Sequence, residues 1–337
     1  MTQFTRTRTF SRTPLLAVVA AATVYSSATN AQTPAEVRVV DFAQRDAPLS
    51  GPFAVVIEHD PKLPTHTIYR PATLGPAKHG VVVWGEGACV KNGLTFPEFL
   101  SEIASHGFVV MADGPPVTPS PNARRGGAPG GAPPANAAPG GPRAQGAAPP
   151  GGGARGGVPT TINADGTPLT AAIDWLAAQS ADRTTRFYQK VETSRVAAMG
   201  MSCGGLMAYN VSADPRIATV GIWNSGLLQP DEKIFAGLHS SVIIVTGGET
   251  DIAYANGKRD FEMMPARVPV FYGVHPSVGH GGTYNEDNGG AFGAAAVAWL
   301  KWQLRNETGA TGKGYFVGNA CGLCGNAQWK IDSRSLR

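Results

Sequence analysis

Short apolar runs rich in β-branched residues alternate with stretches of helical period from Gly80 to Leu304, and that alternation leaves a chain few ways to fold. "GVVVW" (Gly80 to Trp84) and "FVVMAD" (Phe108 to Asp113) read as buried strands. Between them, "FPEFLSEIASHG" (Phe96 to Gly107) reads as an amphipathic helix ending in glycine. After one interruption come the helix "LTAAIDWLAAQ" (Leu169 to Gln179) and the strands "SRVAAM" (Ser194 to Met199), "RIATVGIW" (Arg216 to Trp223), "SSVIIVTG" (Ser240 to Gly247) and "VPVFYGV" (Val268 to Val274). The helix "AFGAAAVAWLKWQL" (Ala291 to Leu304) closes the series. Strands apolar on both faces need helices on both faces, and parallel neighbours need crossover connections. The expected class is therefore α/β, a mostly parallel doubly wound sheet. Upstream, "GPFAVVIEHD" and "THTIYRPA" flank a Pro-Lys-Leu-Pro turn and predict an N-terminal antiparallel strand pair.

The first residues have another character. Arg6, Arg8 and Arg12 precede the apolar run Pro14 to Val24, and small residues follow to Ala31, which is the pattern of a secretory signal over 1–31. A run of that length is shorter than the ~20 residues a membrane span needs; a retained anchor is the competing reading. The remainder, 32–337, is expected to be one domain with a cysteine-containing tail over 306–337, exported to a secreted or periplasmic location. The interruption, 115–158, is nearly all Gly, Pro, Ala and Arg, a composition that cannot bury enough surface to offset its ordering entropy. It reads as a disordered insertion, with a cationic arm as the alternative.

The formal charge of +4 falls to +1 without the three arginines of the signal, and to −3 without Arg124, Arg125, Arg143 and Arg155 of the insertion. No basic face is left for a phosphate backbone, so nucleic acid is not an expected partner. Four cysteines in an exported chain predict two disulfides; the lone Cys321-Gly-Leu-Cys324 offers two ligands where a structural zinc takes four, and neither metal nor cofactor is expected.

Chemistry enters at "RVAAMGMSCGGLMAYN". Gly200, Ser202 and Gly204 fall where a strand passes into a helix, the setting of a nucleophile elbow. A serine hydroxyl needs a base, and the base needs a group to fix its tautomer, in the chain order serine, acid, histidine. Asp251 in "GGETDIAYANG" and His280 in "HPSVGHGGTY" meet that order, with Glu249 and His275 as their rivals. The expected catalytic set is Ser202, Asp251 and His280. Donors for an oxyanion are expected from the backbone N–H of Cys203, at a helix start, and of Glu86 in the glycine-rich turn after Trp84. A plain surface turn is the alternative for Glu86.

The segments "VVVWGEGAC", "GMSCGG", "GGETD" and "VGHGG" together resemble the α/β-hydrolase superfamily, in particular its secreted, cap-less esterases of the dienelactone-hydrolase-like and cutinase-like kind, over about Glu36 to Arg305. The resemblance implies an α/β-hydrolase fold, a Ser202–Asp251–His280 triad and an acyl-enzyme mechanism on carboxylic esters. Where many relatives carry His-Gly before the oxyanion turn, this chain has Trp84-Gly85. In that fold the two loops bearing Cys89 and Cys203 are neighbours, which implies a disulfide between them and a local Cys321–Cys324 bridge; three connectivities are open. Only Asn224 to His239 stand where a cap is commonly inserted, implying an open site for bulky or polymeric esters, with Trp84, Trp223 and Tyr254 expected to line it. Acyl transfer or peptide cleavage by the same groups, and non-catalytic binding on the same scaffold, are the competing readings.

Overall fold

The run from Val81 to Trp84 has no solvent-facing side, and its alternation shows why: Val81 and Val83 pack into one apolar layer, Val82 and Trp84 into the other. A strand buried in this way has to be central, and it is. The computed structural model describes residues 1–2, 36–40, 47–117 and 164–336. The chain divides into two units, 1–35 and 36–337, and all elements below belong to the second. The expected signal lies outside the described residues from Gln3 onward, as does the expected insertion beyond Val117.

In chain order the elements are β1 (Arg38–Val40), β2 (Val55–His59), β3 (His66–Pro71), β4 (His79–Gly85), α1 (Pro97–Ser105), β5 (Phe108–Asp113), α2 (Thr167–Ala181), β6 (Val191–Met201) and α3 (Cys203–Asn210). There follow β7 (Ile217–Trp223), α4 (Glu232–Gly237), β8 (Ser241–Thr246), α5 (Tyr254–Met263), β9 (Val270–Val274), α6 (Gly290–Arg305) and β10 (Lys330–Arg334). They build one ten-stranded sheet in the order β1-β2-β3-β5-β4-β6-β7-β8-β9-β10. The six strands from β5 to β9 run parallel to one another. β1, β2 and β3 add antiparallel on one edge and β10 on the other. The expected N-terminal pair is thus β2 with β3, extended by β1. The tail supplies a strand that was not expected, because "KIDSR" is too polar and exposed to read as one.

Helices α1 and α6 cover one face of the sheet, over a core rich in aromatic rings; α2, α3 and Phe261 of α5 cover the other. Helix α5 was also unexpected: in "YANGKRDFEM" only Gly257, Asp260 and Phe261 are buried, and of these only Phe261 is a large apolar residue, so no apolar stripe marks it in the sequence. Among the described residues no helix is long and apolar enough to cross a membrane. Two disulfides, Cys89–Cys203 and Cys321–Cys324, are present, with Cα–Cα separations of 5.2 and 5.0 Å.

What matters for the site is a reversal of direction. From β4 the chain winds outward to β5 on one side, then returns to β6 on the other, so the carboxyl ends of β4 and β6 diverge into separate loops at a topological switch point. Gly85 and Gly200 are partners in register at that point. Ser202 lies just beyond.

Candidate active site

At the end of β6 the backbone makes a turn that most side chains resist. Ser202 has φ 53° and ψ −116°, a region costing about 1–3 kcal/mol for a residue with a Cβ. The neighbouring glycines are required by contact. A Cβ on Gly200 would stand 2.3 Å from the Gly204 carbonyl, and one on Gly204 would stand 1.9 Å from the Gly85 oxygen. The ends of β4 and β6 and the start of α3 therefore touch backbone to backbone. The Ser202 N–H donates to the Trp223 carbonyl (2.9 Å) and the Ser225 hydroxyl donates to the Ser202 carbonyl (2.6 Å), so β7 and the loop after it hold the strained residue in place.

Three side chains from three loops then meet. The Ser202 hydroxyl is 3.0 Å from His280 Nε2, and His280 Nδ1 is 2.6 Å from Asp251 Oδ1. His280 sits in a single 3-10 turn, Gly279–Gly281, after β9; Asp251 follows β8. The Asp251 side chain is wholly buried and that of His280 about a quarter exposed. Burial works against the Asp251 charge, but bonds from His280, from the Gly247 and Ala253 N–H groups and from Asn224 outweigh it and hold the carboxyl below its usual range. An ionised acceptor on Nδ1 keeps the proton there, leaving Nε2 free to accept from Ser202.

The rivals are placed elsewhere. Glu249 is exposed, outside the hydrogen-bonded set. His275 is buried against Trp329 and Phe292, with its Nδ1 3.5 Å from the Ser277 hydroxyl. A second Ser/His/carboxylate meeting, of Ser50, His106 and Glu102, lacks the relay arrangement. The Ser50 hydroxyl and the Glu102 carboxylate both face the same nitrogen, His106 Nε2, and the hydroxyl is itself bonded to the carboxylate.

The turn expected to carry the second oxyanion donor is tethered to the elbow at both ends. Gly85 abuts Gly204 on one side of Glu86, and the Cys89–Cys203 disulfide lies on the other. Closing a loop of this separation, 114 residues, restricts the unfolded chain by about 4–5 kcal/mol on a chain-entropy account. Cys203 opens α3, where the first N–H groups have no acceptor inside the helix.

The Glu86 side chain has an environment that sequence reasoning did not foresee. Both carboxyl oxygens are buried and have no partner in hydrogen-bond geometry among the described residues, and the same is true of the Trp84 indole nitrogen. Burial pushes the Glu86 carboxyl well above its ordinary range; the nearby Trp84 indole and Thr95 hydroxyl offset this in part, and the Asp113 charge adds to it. The folded chain therefore binds a proton that the unfolded chain releases above pH 4.5 or so, and stability falls as the pH rises from there towards the raised value. Glu86→Gln keeps the shape without the titration. Its melting temperature, relative to wild type, is expected to gain between pH 5 and pH 8; a difference constant over that range would contradict a buried neutral Glu86.

Three expected lining residues need correction. Trp84 and Trp223 are fully buried, packed among Phe96, Phe99, Tyr284 and Phe292, because their strand positions face the α1/α6 layer rather than the strand ends. Tyr254 is half-buried at the start of α5, packs against the same core layer as Leu206 and Leu228, and is not among the residues that border the cleft. The cleft beside Ser202 and His280 has a volume of about 110 Å³; its apolar lining comes from Leu206, Leu228, Ile252 and Ala253. Ile252, which follows Asp251, is 77% exposed. A larger depression of about 720 Å³, bordered by Asp165, Thr170 and Asp214, contains none of the hydrogen-bonded set.

Asn224 and Tyr284 were also missed. Asn224 immediately follows β7, at the strand ends where sites collect in such sheets, which is the one signal that pointed to it. No protein-family model matches this chain, and no curated protein matches it.

Proposed function

We propose that this chain is a serine hydrolase of the α/β-hydrolase fold that cleaves carboxylic esters through an acyl-enzyme. The unbroken hydrogen-bond chain from Ser202 through His280 to a buried, ionised Asp251, set on a strained strand-to-helix turn, is the observation that carries the reading. His280 Nε2 takes the Ser202 proton as the hydroxyl oxygen attacks the ester carbonyl. Asp251 compensates the imidazolium that forms. The oxyanion is met by the N–H of Cys203 and, from the tethered turn, the N–H of Glu86, each donor being worth about 3 kcal/mol of barrier. His280 then protonates the departing alkoxide. Water, deprotonated by His280 in its turn, releases the acid and restores Ser202.

Access supports esters over enclosed substrates. Between β7 and β8 there is room only for a loop and the six-residue α4, so no cap covers Ser202 among the described residues. A narrow apolar cleft next to an open face fits a short acyl chain, with a bulky alcohol or polymer left outside. Two disulfides, together with the basic and apolar start of the chain, support work in an oxidising, secreted or periplasmic setting.

The test is turnover of p-nitrophenyl esters of graded acyl length by the protein from Gln32 onward. The expected result is hydrolysis with kcat/KM highest for short chains, and a shift towards longer ones in Leu206→Ala, which enlarges the cleft. Absence of turnover on every ester by folded protein would remove the esterase assignment.

A further inference from the structure

Asn224 is wholly buried at the end of β7 with φ 42°, a conformation that asparagine adopts more readily than most side chains. Its Nδ2 donates to Asp251 Oδ2 at 2.7 Å and to the Gly279 carbonyl at 3.0 Å; its Oδ1 accepts from the Tyr284 hydroxyl at 2.5 Å. Chemistry fixes the amide this way round. Turned over, its oxygen would face a carboxylate and a carbonyl, neither of which can donate. Tyr284 is itself wholly buried among Trp84, Phe96, Phe99 and Phe292, and burial together with the Asp251 charge pushes its hydroxyl well above the ordinary range, so it stays a donor.

The loops after β8 and β9 leave neighbouring strands and already meet through the Gly279 N–H, which donates to the Gly247 carbonyl at 2.9 Å; the Asn224 amide adds the side-chain tie that reaches the Asp251 carboxylate itself. Asp251 comes after β8, and Gly279 is the residue before His280 in the loop after β9. We infer that Asn224 is the positioning residue that sets the acid against the base, and that Tyr284 acts on the reaction only by orienting the Asn224 amide. This rests on the esterase reading given above. Neither residue exchanges a proton with substrate. Asn224 holds the carboxylate from the side opposite to His280, sharing Oδ2 with the Gly247 N–H, so that Oδ1 is directed at Nδ1. Misplacing a reacting pair by about 1 Å costs on the order of 100-fold in rate.

The test is a double-mutant cycle with Asn224→Ala and Tyr284→Phe, read as kcat and KM on a p-nitrophenyl ester, with melting temperatures alongside. Tyr284→Phe keeps the buried ring and serves if Asn224→Ala folds poorly. Expected are a loss of roughly 10- to 100-fold in kcat for Asn224→Ala and a smaller kcat loss for Tyr284→Phe at unchanged KM, since Tyr284 does not line the cleft. The double variant is expected to be no slower than Asn224→Ala alone. Full kcat in both single variants, or losses that multiply in the double variant, would overturn the inference while leaving the esterase reading intact. A wild type that hydrolyses no ester would overturn both. The proton on His280 Nδ1 gives an independent readout by NMR: its downfield resonance is expected to move or broaden in Asn224→Ala, and an unaltered resonance there would likewise overturn the inference.

Discussion

Ser202→Ala is expected to lose at least about ten-thousandfold in kcat on any ester the wild type turns over, a barrier increase of roughly 5.5 kcal/mol. The other groups of the site stay in place, but with no atom to form the acyl bond they have nothing to activate. The fold should survive, because among the described residues the Ser202 hydroxyl bonds only to His280, and the turn is held through the Ser202 backbone by the Trp223 carbonyl and the Ser225 hydroxyl. Ser202→Gly adds a check on the elbow itself. It removes the same nucleophile and also the Cβ that the positive φ strains, so it should melt above Ser202→Ala in spite of glycine's entropic cost. If Ser202→Ala kept a tenth of wild-type activity, the serine would not be the nucleophile.

The second large effect is expected from Asp251→Asn, on the order of ten-thousandfold in kcat with little change in KM. The reason is which way the new amide must face. Asp251 Oδ2 accepts two donors, Asn224 Nδ2 and the Gly247 N–H; Oδ1 accepts the Ala253 N–H and faces His280. An NH₂ in the Oδ2 position would oppose two donors. It is therefore driven to the Oδ1 position, where the imidazole can meet it only by moving its own proton to Nε2. A protonated Nε2 donates to Ser202 and cannot accept from it. Stability carries a second signature with a definite sign. The Asp251 carboxyl is held below its usual range, so its contribution is complete above the unfolded value of about 3.8 and is lost as the pH falls through the lower folded one. The advantage of wild type over Asp251→Asn in melting should shrink below pH 4, whereas a difference that grew with acid would contradict an ionised Asp251.

The sheet and the elbow were legible for related reasons. Runs buried on both faces show in composition alone, and the Gly200–Ser202–Gly204 spacing reflects backbone contacts that exclude any Cβ, so it survives as a local pattern. That Asp251 and His280 would meet Ser202 followed from chain order. Their preference over Glu249 and His275 depends on contacts: a carboxylate wrapped by three N–H groups, and an imidazole clear of the Trp329 ring. The lining by Trp84 and Trp223 failed because a tryptophan at a strand end is consistent with either face of the strand tip, and here both rings belong to the core under α1 and α6. Asn224 escaped notice because an asparagine after a strand reads as an ordinary turn; its role depends on Gly279 and Tyr284, 55 and 60 residues further along. The Glu86 carboxyl was equally invisible, since a glutamate between glycines looks solvated.

The most direct measurement is mass-spectrometric mapping of the adduct left by a fluorophosphonate on the protein from Gln32 onward, at neutral pH and with both disulfides intact. The expected result is one stoichiometric adduct on Ser202, with labelling slowed sharply in Asp251→Asn and abolished in Ser202→Ala. Folded protein that takes no label, or takes it at another residue, would contradict an activated Ser202 and with it the assignment of this chain as a serine hydrolase.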